Sequence, residues 1–328
     1  MPAQVEITPW HWVGFILFVL IFLAMDLGIF HRRAHVVTFK EAMAWTAFWA
    51  ALALGFGAAL VWMRGRHEAT QFFTGYFVEV SLSMDNVFVI ALLFSYFRVP
   101  AEQQHRVLFW GVLGALLLRG LMIWAGVKLI NRFEWLLYGF GAFLVFTGVK
   151  MLARRGGGEG PEKSLVVRIA RKILPVSNDF DGQNFTTRIN GRRFFTPLFV
   201  VLLAVETTDL IFAVDSIPAI FGITRKAFIV FTSNVFAILG LRSLYFVLAG
   251  AIKLFRYLKV GLSVVLIFIG VKMLVDPHES PSPKWFQFVM PDVGSLLVVV
   301  MIIALSILAS MIASKMEESG QNAPGKSG

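Results

Sequence analysis

The stretch Glu206-Thr207-Thr208-Asp209-Leu210-Ile211-Phe212-Ala213-Val214-Asp215-Ser216-Ile217-Pro218 sets three carboxylates inside a run that is otherwise apolar from Phe194 to Ile223. Residues 72–97 answer it: Glu79, Ser81, Ser83, Asp85 and Asn86 stand in an equally apolar setting, and the step from Glu79 to Asp85 repeats the six-residue step from Asp209 to Asp215. A carboxylate at the centre of a membrane-spanning helix costs roughly 3 kcal/mol on insertion scales, so five cost on the order of 15 kcal/mol, comparable with the stability of a whole domain. That penalty marks the residues as functional and points to one site shared by two segments. A purely structural alternative has the acids satisfied by the intramembrane residues Arg119 and Arg242, but two cations do not neutralise five anions.

The surrounding composition sets the class. Of 328 residues 57% are hydrophobic and 15% charged, with a mean hydropathy of +0.74, which long uncharged runs explain and a soluble domain does not. The net charge of +10 would suggest nucleic acid in a soluble protein, but here the basic residues lie between apolar runs and read as topology signals. The bilayer, and not nucleic acid, is the expected partner. With no cysteine, the chain carries no disulfide framework, zinc knuckle or thiol redox centre of its own.

Apolar runs fall at about 10–30, 41–63, 72–97, 107–130, 133–152, 194–223, 226–252, 257–275 and 291–314, each long enough for roughly 30 Å of hydrocarbon. This predicts an all-α polytopic membrane protein of about nine transmembrane helices. The first run is too long for a signal-peptide core and has no basic region before it. Lys and Arg in alternate loops number 20 on one side and 8 on the other, which places the amino end outside and the carboxyl end in the cytoplasm.

A repeat lies within the chain. Phe72-Phe73-Thr74 returns as Phe194-Phe195-Thr196 and Gly148-Val149-Lys150-Met151-Leu152 as Gly270-Val271-Lys272-Met273-Leu274, both at an offset of 122. Arg119 and Arg242 are offset by 123 and the acidic steps by 130, a shift of about two turns in the middle of the repeat. Three helices per copy reverse the second relative to the membrane, an inverted 3+3 repeat of the kind transporters use. The chain divides into residues 1–71 with two helices, 72–152 as the first repeat, 153–193 as a cytoplasmic loop, 194–275 as the inverted second repeat, and 276–328 with the ninth helix and a cytoplasmic tail.

Loop 153–193 is basic. Leu165, Val166, Ile169, Ile173 and Leu174 form one side of a segment ringed by Lys163, Arg168, Arg171 and Lys172, the pattern of an amphipathic helix on an anionic leaflet or of a plain solvated helix. Residues 185–194 read as a hairpin around Asn190-Gly191, a type I′ turn pair. Asp179 and Asp181-Gly182 resemble half a calcium loop but lack the later ligands and read as a turn.

Glu79 with Asn86, and Asp209 with Ser216, are seven residues apart and share a helical face. Asp85 and Asp215 leave that face and converge with it only where the helix opens, as Pro218 would allow by removing the hydrogen bond to the Val214 carbonyl and freeing neutral oxygen ligands. Five carboxylates against two arginines leave a net charge of −3, which favours a divalent cation with protons on the remainder. The expected ligands are Glu79, Asp85, Asn86, Glu206, Asp209 and Asp215, charge-balanced by Arg119 and Arg242, with Ser83, Met84, Thr208, Ser216 and Asn234 in support. All six histidines lie at helix ends or in loops, so the ligand set is oxygen, suited to magnesium, calcium or manganese. Met84 reads either as a thioether that tilts the site toward manganese or as packing. No Gly-x-Gly-Asp setting and no histidine within a span is present, which argues against an intramembrane protease and against an enzyme. Asp26 reads either as an interfacial acid, which its position favours, or as an outer member of the site.

Glu79-Val80-Ser81-Leu82-Ser83-Met84-Asp85-Asn86, Thr196-Pro197-Leu198, the Glu206 to Pro218 run and Ser233-Asn234-Val235-Phe236-Ala237-Ile238-Leu239-Gly240-Leu241-Arg242 together resemble the TerC/Alx family, within the LysE-like transporter group. Asp26-Leu27-Gly28 with His31 and His35, and then Lys40-Glu41-Ala42, resemble the family's opening and bring Asp26 closer to a functional role. The resemblance implies manganese export from the bacterial cytoplasm across the inner membrane, with Mn2+ as cargo and no permanently bound cofactor. It also carries a historical tellurite-resistance label and a link to alkaline pH. Proton entry is the natural counterflow. A different class, a membrane scaffold that helps other membrane or secreted proteins assemble through loop 153–193, needs no midspan acids. The charge asymmetry of the loops gives a first test: a reporter fused at Gly160 is expected to be cytoplasmic and one at Lys284 external, and the reverse labelling would invert the direction of transport.

Overall fold

In hydrocarbon every backbone N–H and C=O must be paired within its own segment, so each long apolar run closes into a helix. A computed structural model describes residues 7–25, 37–153, 173–249, 257–275 and 290–321. Among them are nine helices: α1 (Pro9–Met25), α2 (Phe39–Arg64), α3 (Arg66–Tyr96), α4 (Ala101–Arg132), α5 (Leu136–Ala153), α6 (Pro197–Phe221), α7 (Ala227–Ala249), α8 (Leu258–Val275) and α9 (Asp292–Gln321). Eight are long and apolar enough to cross a membrane, and α1, at 17 residues, is the shorter one. The expected runs recur within a few residues. α3 and α4 each begin six residues before the expected run, at Arg66 and Ala101, and α9 runs on to Gln321; α3 begins at Arg66 because Gly65 alone, at φ 89°, turns the chain out of α2. Glu68, 1% exposed, ties that joint together by accepting from Arg64 at 2.7 and 2.8 Å and from Lys226 at 2.7 Å.

The repeat is visible in the packing. Exchanging α3 with α6, α4 with α7 and α5 with α8 carries the α3–α7 pairing onto α4–α6 and the α3–α8 pairing onto α5–α6, and returns α3–α6, α4–α7 and α5–α8 to themselves. The α5–α8 seam shows it at residue level. Gly141 lies against the Gly270 carbonyl and Gly148 against the Ser263 carbonyl, so rising numbers on α5 meet falling numbers on α8 and the pair is antiparallel. An offset of 122 turns Gly148 into Gly270 and Gly141 into Ser263, which makes each contact the image of the other. Central α3 and α7 are the most enclosed spans, whereas α9 turns Leu297, Met301, Leu305 and Ile312 outward as a lipid-facing stripe.

Neither α3 nor α6 opens. Both are continuous α-helix through Asp85 and Asp215, and α6 runs on through Pro218 to Phe221, so the proline takes the donor from the Val214 carbonyl without opening the helix. The anticipated local opening is therefore absent, and the Val214 carbonyl is the one oxygen that Pro218 leaves without its helical donor.

Two short strands, β1 (Thr186–Ile189) and β2 (Arg192–Phe195), pair antiparallel across Asn190 (φ 50°) and Gly191 (φ 78°), the hairpin expected from the Asn-Gly pair. The segment is anchored at both sides. Thr196 Oγ1 donates to the Asn184 carbonyl (2.7 Å), Gln183 Nε2 donates to the Glu102 carbonyl (3.3 Å), and Arg106 stands over the Phe185 ring at 5.1 Å. Asp181 and Gly182 form a local turn bridged to Asn184. Most of the basic segment 162–174 lies outside the described residues, as do Asp26, His31 and His35.

The α5–α8 seam makes a sharp prediction. A Cβ on Gly148 would meet the Ser263 carbonyl at 2.8 Å, whereas one on Gly139 meets nothing within 4 Å. Gly148→Ala should lower stability by about 1–3 kcal/mol, and Gly139→Ala should leave it unchanged or slightly raised, read by thermal unfolding of the detergent-purified chain.

Candidate functional site: a buried arginine and a carboxylate-lined cavity

Halfway along α4, Arg119 is 2% exposed and surrounded by polar groups from three other helices. Its guanidinium is ion-paired with Glu79 of α3 through Nη1 and with Asp209 of α6 through Nη2 at 3.0 Å, and Nε donates to the second Asp209 oxygen at 3.3 Å. Nη1 also reaches Ser216 Oγ at 3.5 Å and Asn234 Oδ1 of α7 at 3.3 Å. Asn86 Nδ2 completes the ring by donating to Asp209 Oδ1 at 3.2 Å. The heptad spacing on α6 presents Asp209 and Ser216 to the same arginine, and that on α3 presents Glu79 to the arginine and Asn86 to its partner Asp209.

Asp85 and Asp215 face another direction. On a helix the neighbour of Asn86 points about 100° away, and this rotation carries Asp85, with Asp215 from α6, into a cavity of about 40 Å3 also lined by Asn86, Arg119, Ser216 and Met151. Leu262 and Leu266 of α8 close it. Asp215 is hydrogen-bonded to Thr147 and lies within electrostatic reach of Lys150, as Asp85 does of Lys259. Asn86 is 2% exposed, its Nδ2 is spent on Asp209, and its Oδ1 has no donor among the described residues. A desolvated carbonyl oxygen without a donor beside two carboxylates is a place suited to a cation.

The remaining expected residues sort differently. Glu206 lies one turn from Asp209 with its carboxylate against Gly114 of α4, and its Oε2 is buried without a hydrogen-bond donor among the described residues. Thr208 bonds back to the Ala204 carbonyl (2.7 Å), Ser83 is buried, and Met84 packs against the cluster of Val87, Ile90 and Phe94. The thioether that lines the cavity belongs to Met151, which the sequence reading passed over. Arg242 does not balance the central charges as expected. It lines a separate small cavity with Glu41, Trp45, Trp49 and Ser243, because α7 turns that residue toward α2 and not toward α6. The five carboxylates therefore do not gather into one cage, and among the described residues no three His, Cys, Asp or Glu side chains approach closely enough to hold a metal by themselves. Any ion here takes two carboxylates and neutral oxygens.

Eight apolar spans around a buried charge network define a polytopic membrane protein with an ionisable site at mid-depth. The chain belongs to the Integral membrane protein TerC family, which matches residues 64–318. It is 53% identical over 308 residues to an uncharacterized membrane protein of Myxococcus xanthus, covering 94% of each chain. It is 51% identical over 284 residues to an Escherichia coli K12 protein, Alx, whose name proposes a membrane-bound redox modulator, with coverage of 84% of this chain and 88% of that one. A Rickettsia felis membrane protein is 37% identical over 305 residues, 93% of this chain and 98% of the relative. No solved structure matches.

Removing Arg119 strands two buried carboxylates, whereas removing Glu79 leaves Arg119 matched to Asp209. Arg119→Leu should therefore cost about 3–5 kcal/mol and Glu79→Gln clearly less, measured by thermal or denaturant unfolding. Equal effects would mean that the arginine is not the hub of the network.

Proposed function

We propose that this protein exports a divalent cation, Mn2+, through the cavity between α3, α5, α6 and α8. The observation that carries the reading is the buried, donorless Asn86 Oδ1 on a residue that lines one cavity with Asp85 and Asp215. Arg119 hydrogen-bonds both Glu79 and Asp209 and cancels one of their two charges, and Asp85 and Asp215 are the carboxylates of the cavity without a guanidinium partner, a pair that a doubly charged ion would neutralise. Arg119 forms one wall of the same cavity. It serves as a fixed cation that keeps the neighbouring carboxylates out of the ligand set and limits the number of charges the site will accept.

Ligand chemistry favours manganese over harder ions in one respect, since the Met151 thioether lines the cavity among oxygens. The manganese export that the TerC/Alx resemblance implies points the same way. When the ion leaves, protons compete for the same oxygens, so metal release and proton uptake are linked and proton entry can drive export. An antiparallel repeat with self-paired helices supports alternating exposure of a midplane site by movement of one copy against the other. Redox modulation, the role in the name of the E. coli relative, has no thiol to act through in this cysteine-free chain and is accommodated here as a consequence of the ion that is moved.

Flux in vesicles holding the purified chain tests this. Mn2+ flux should depend on an imposed pH gradient and weaken as the side that loads metal is acidified. It should fall to background in Asp85→Asn and Asp215→Asn while both variants keep the wild-type unfolding temperature within a few degrees. Met151→Leu should retain flux and lose preference for Mn2+ over Mg2+. Wild-type flux in both aspartate variants would overturn the cavity as the route and leave the scaffold reading in its place.

A further inference from the structure

Each carboxylate of the cation cavity faces a lysine from the other copy of the repeat. Asp85 belongs to α3 in the first copy and lies within electrostatic reach of Lys259 on α8 in the second, while Asp215 on α6 in the second copy lies within reach of Lys150 on α5 in the first. Helical spacing gives the same arrangement. Thr147 is hydrogen-bonded to Asp215, and Lys150 follows it by three residues on the same side of α5, next to the cavity-lining Met151. Lys259 precedes Leu262, which closes the cavity, by three residues on α8.

Both lysines stand at one end of the antiparallel α5–α8 seam. Lys150 is in the last turn of α5 and Lys259 in the first turn of α8, and the contact of Gly148 with the Ser263 carbonyl brings those two turns side by side. Their ammonium groups stand back from the carboxylates. Among the described residues neither Asp85 nor Asp215 has an ion pair within 4.0 Å, and Lys150 Nζ lies 5.7 Å from the centre of the Phe146 ring. Each ammonium rides on a flexible four-carbon stem. A pair of carboxylates enclosed with Leu82, Leu262 and Leu266 needs countercharge whether or not an ion is bound, and two ammonium groups carry as much as one divalent ion.

We propose that Lys150 and Lys259 are tethered counter-cations, which close on Asp215 and Asp85 when the cavity is empty and withdraw when a divalent ion enters. An entering ion then competes with two ammonium groups. A doubly charged ion replaces both and leaves the carboxylates neutralised, whereas a singly charged ion that displaces both leaves one negative charge uncovered in a low-dielectric site. The lysines thus select for double charge and hold the affinity low enough for release. The inference rests on the cavity being the route of the ion, and it gives these two residues the affinity and charge selectivity of that route.

Equilibrium binding of Mn2+ to the purified full chain in a neutral detergent tests the proposal. Lys150→Met/Lys259→Met should bind Mn2+ about tenfold more tightly than the wild type, and Na+ should compete with Mn2+ in the double variant but not in the wild type. Lys150→Arg/Lys259→Arg keeps both charges and should stay near the wild-type affinity. Lys272, the counterpart of Lys150 at the offset of 122, lines a different cavity, so Lys272→Met should leave Mn2+ affinity as it is. Contact at short range also requires the gain to persist in about 1 M choline chloride, where the Debye length is about 3 Å. If the double variant does not fold, Lys150→Met and Lys259→Met taken singly should each show part of the gain. Wild-type binding that depends on Asp85 and Asp215 but is unmoved by the lysine variants overturns this inference and leaves the cavity as the ion site. A gain that vanishes at high salt, or that Lys272→Met reproduces, overturns it equally. Absence of any Mn2+ binding that depends on the two aspartates overturns the transport reading and this inference together.

Discussion

A guanidinium at mid-membrane with carboxylates on two other helices governs this structure. Arg119 cannot be left in hydrocarbon unpaired, and its partners are a long way apart in the chain, so α3, α6 and α7 must all reach α4 at one depth before the energy of the charges is met. Small residues on α4 let this happen. Gly111 lies against Val205, Gly114 against the Glu206 carboxylate and Gly126 against Phe221, so α6 lies close along most of α4 on glycine contacts. The apolar packing on either side, from Ile123 and Ile217 to Leu108 and Val201, follows from that approach.

Much of this was legible beforehand because the bilayer makes certain signals expensive. Long apolar runs and the identity of Glu79, Asp85, Asp209 and Asp215 stood out through insertion cost alone, and the hairpin followed from the backbone angles that Asn190-Gly191 supplies. Which charges meet was not legible. Periodicity gives the angle between Asp85 and Asn86 on one helix but says nothing of which neighbour each face will find. Arg119 and Arg242 look equivalent in the repeat, yet one meets Glu79 and Asp209 and the other shares a cavity with Glu41, a distinction created by α2, which belongs to neither copy. Pro218 gave a helix-breaking signal, yet α6 continues through it to Phe221 and loses only the bond to the Val214 carbonyl. Met84 and Met151 differ only in what packs beside them.

The division of the acids into two groups has meaning for how the halves of the protein are matched. A fully self-cancelling network would hold no ion, and a fully uncompensated one would not insert. Here Glu79 and Asp209 are committed to the scaffold, Asp85 and Asp215 to the cavity, and Glu206 lies apart against Gly114, with Asn86 donating its nitrogen to Asp209 while it lines the cavity. That single amide couples the two compartments, since its orientation fixes donor and acceptor together.

The short hairpin between the repeats has a mechanical consequence. It joins the entry to α6 with the first turns of α4 through Thr196, Gln183 and the Arg106–Phe185 contact, which makes it a lap joint between the two inverted copies at one face of the bundle. A pair of levers riveted near one end does not part evenly. Were one copy to rotate against the other, the displacement would be least beside the rivet and would grow with distance from it.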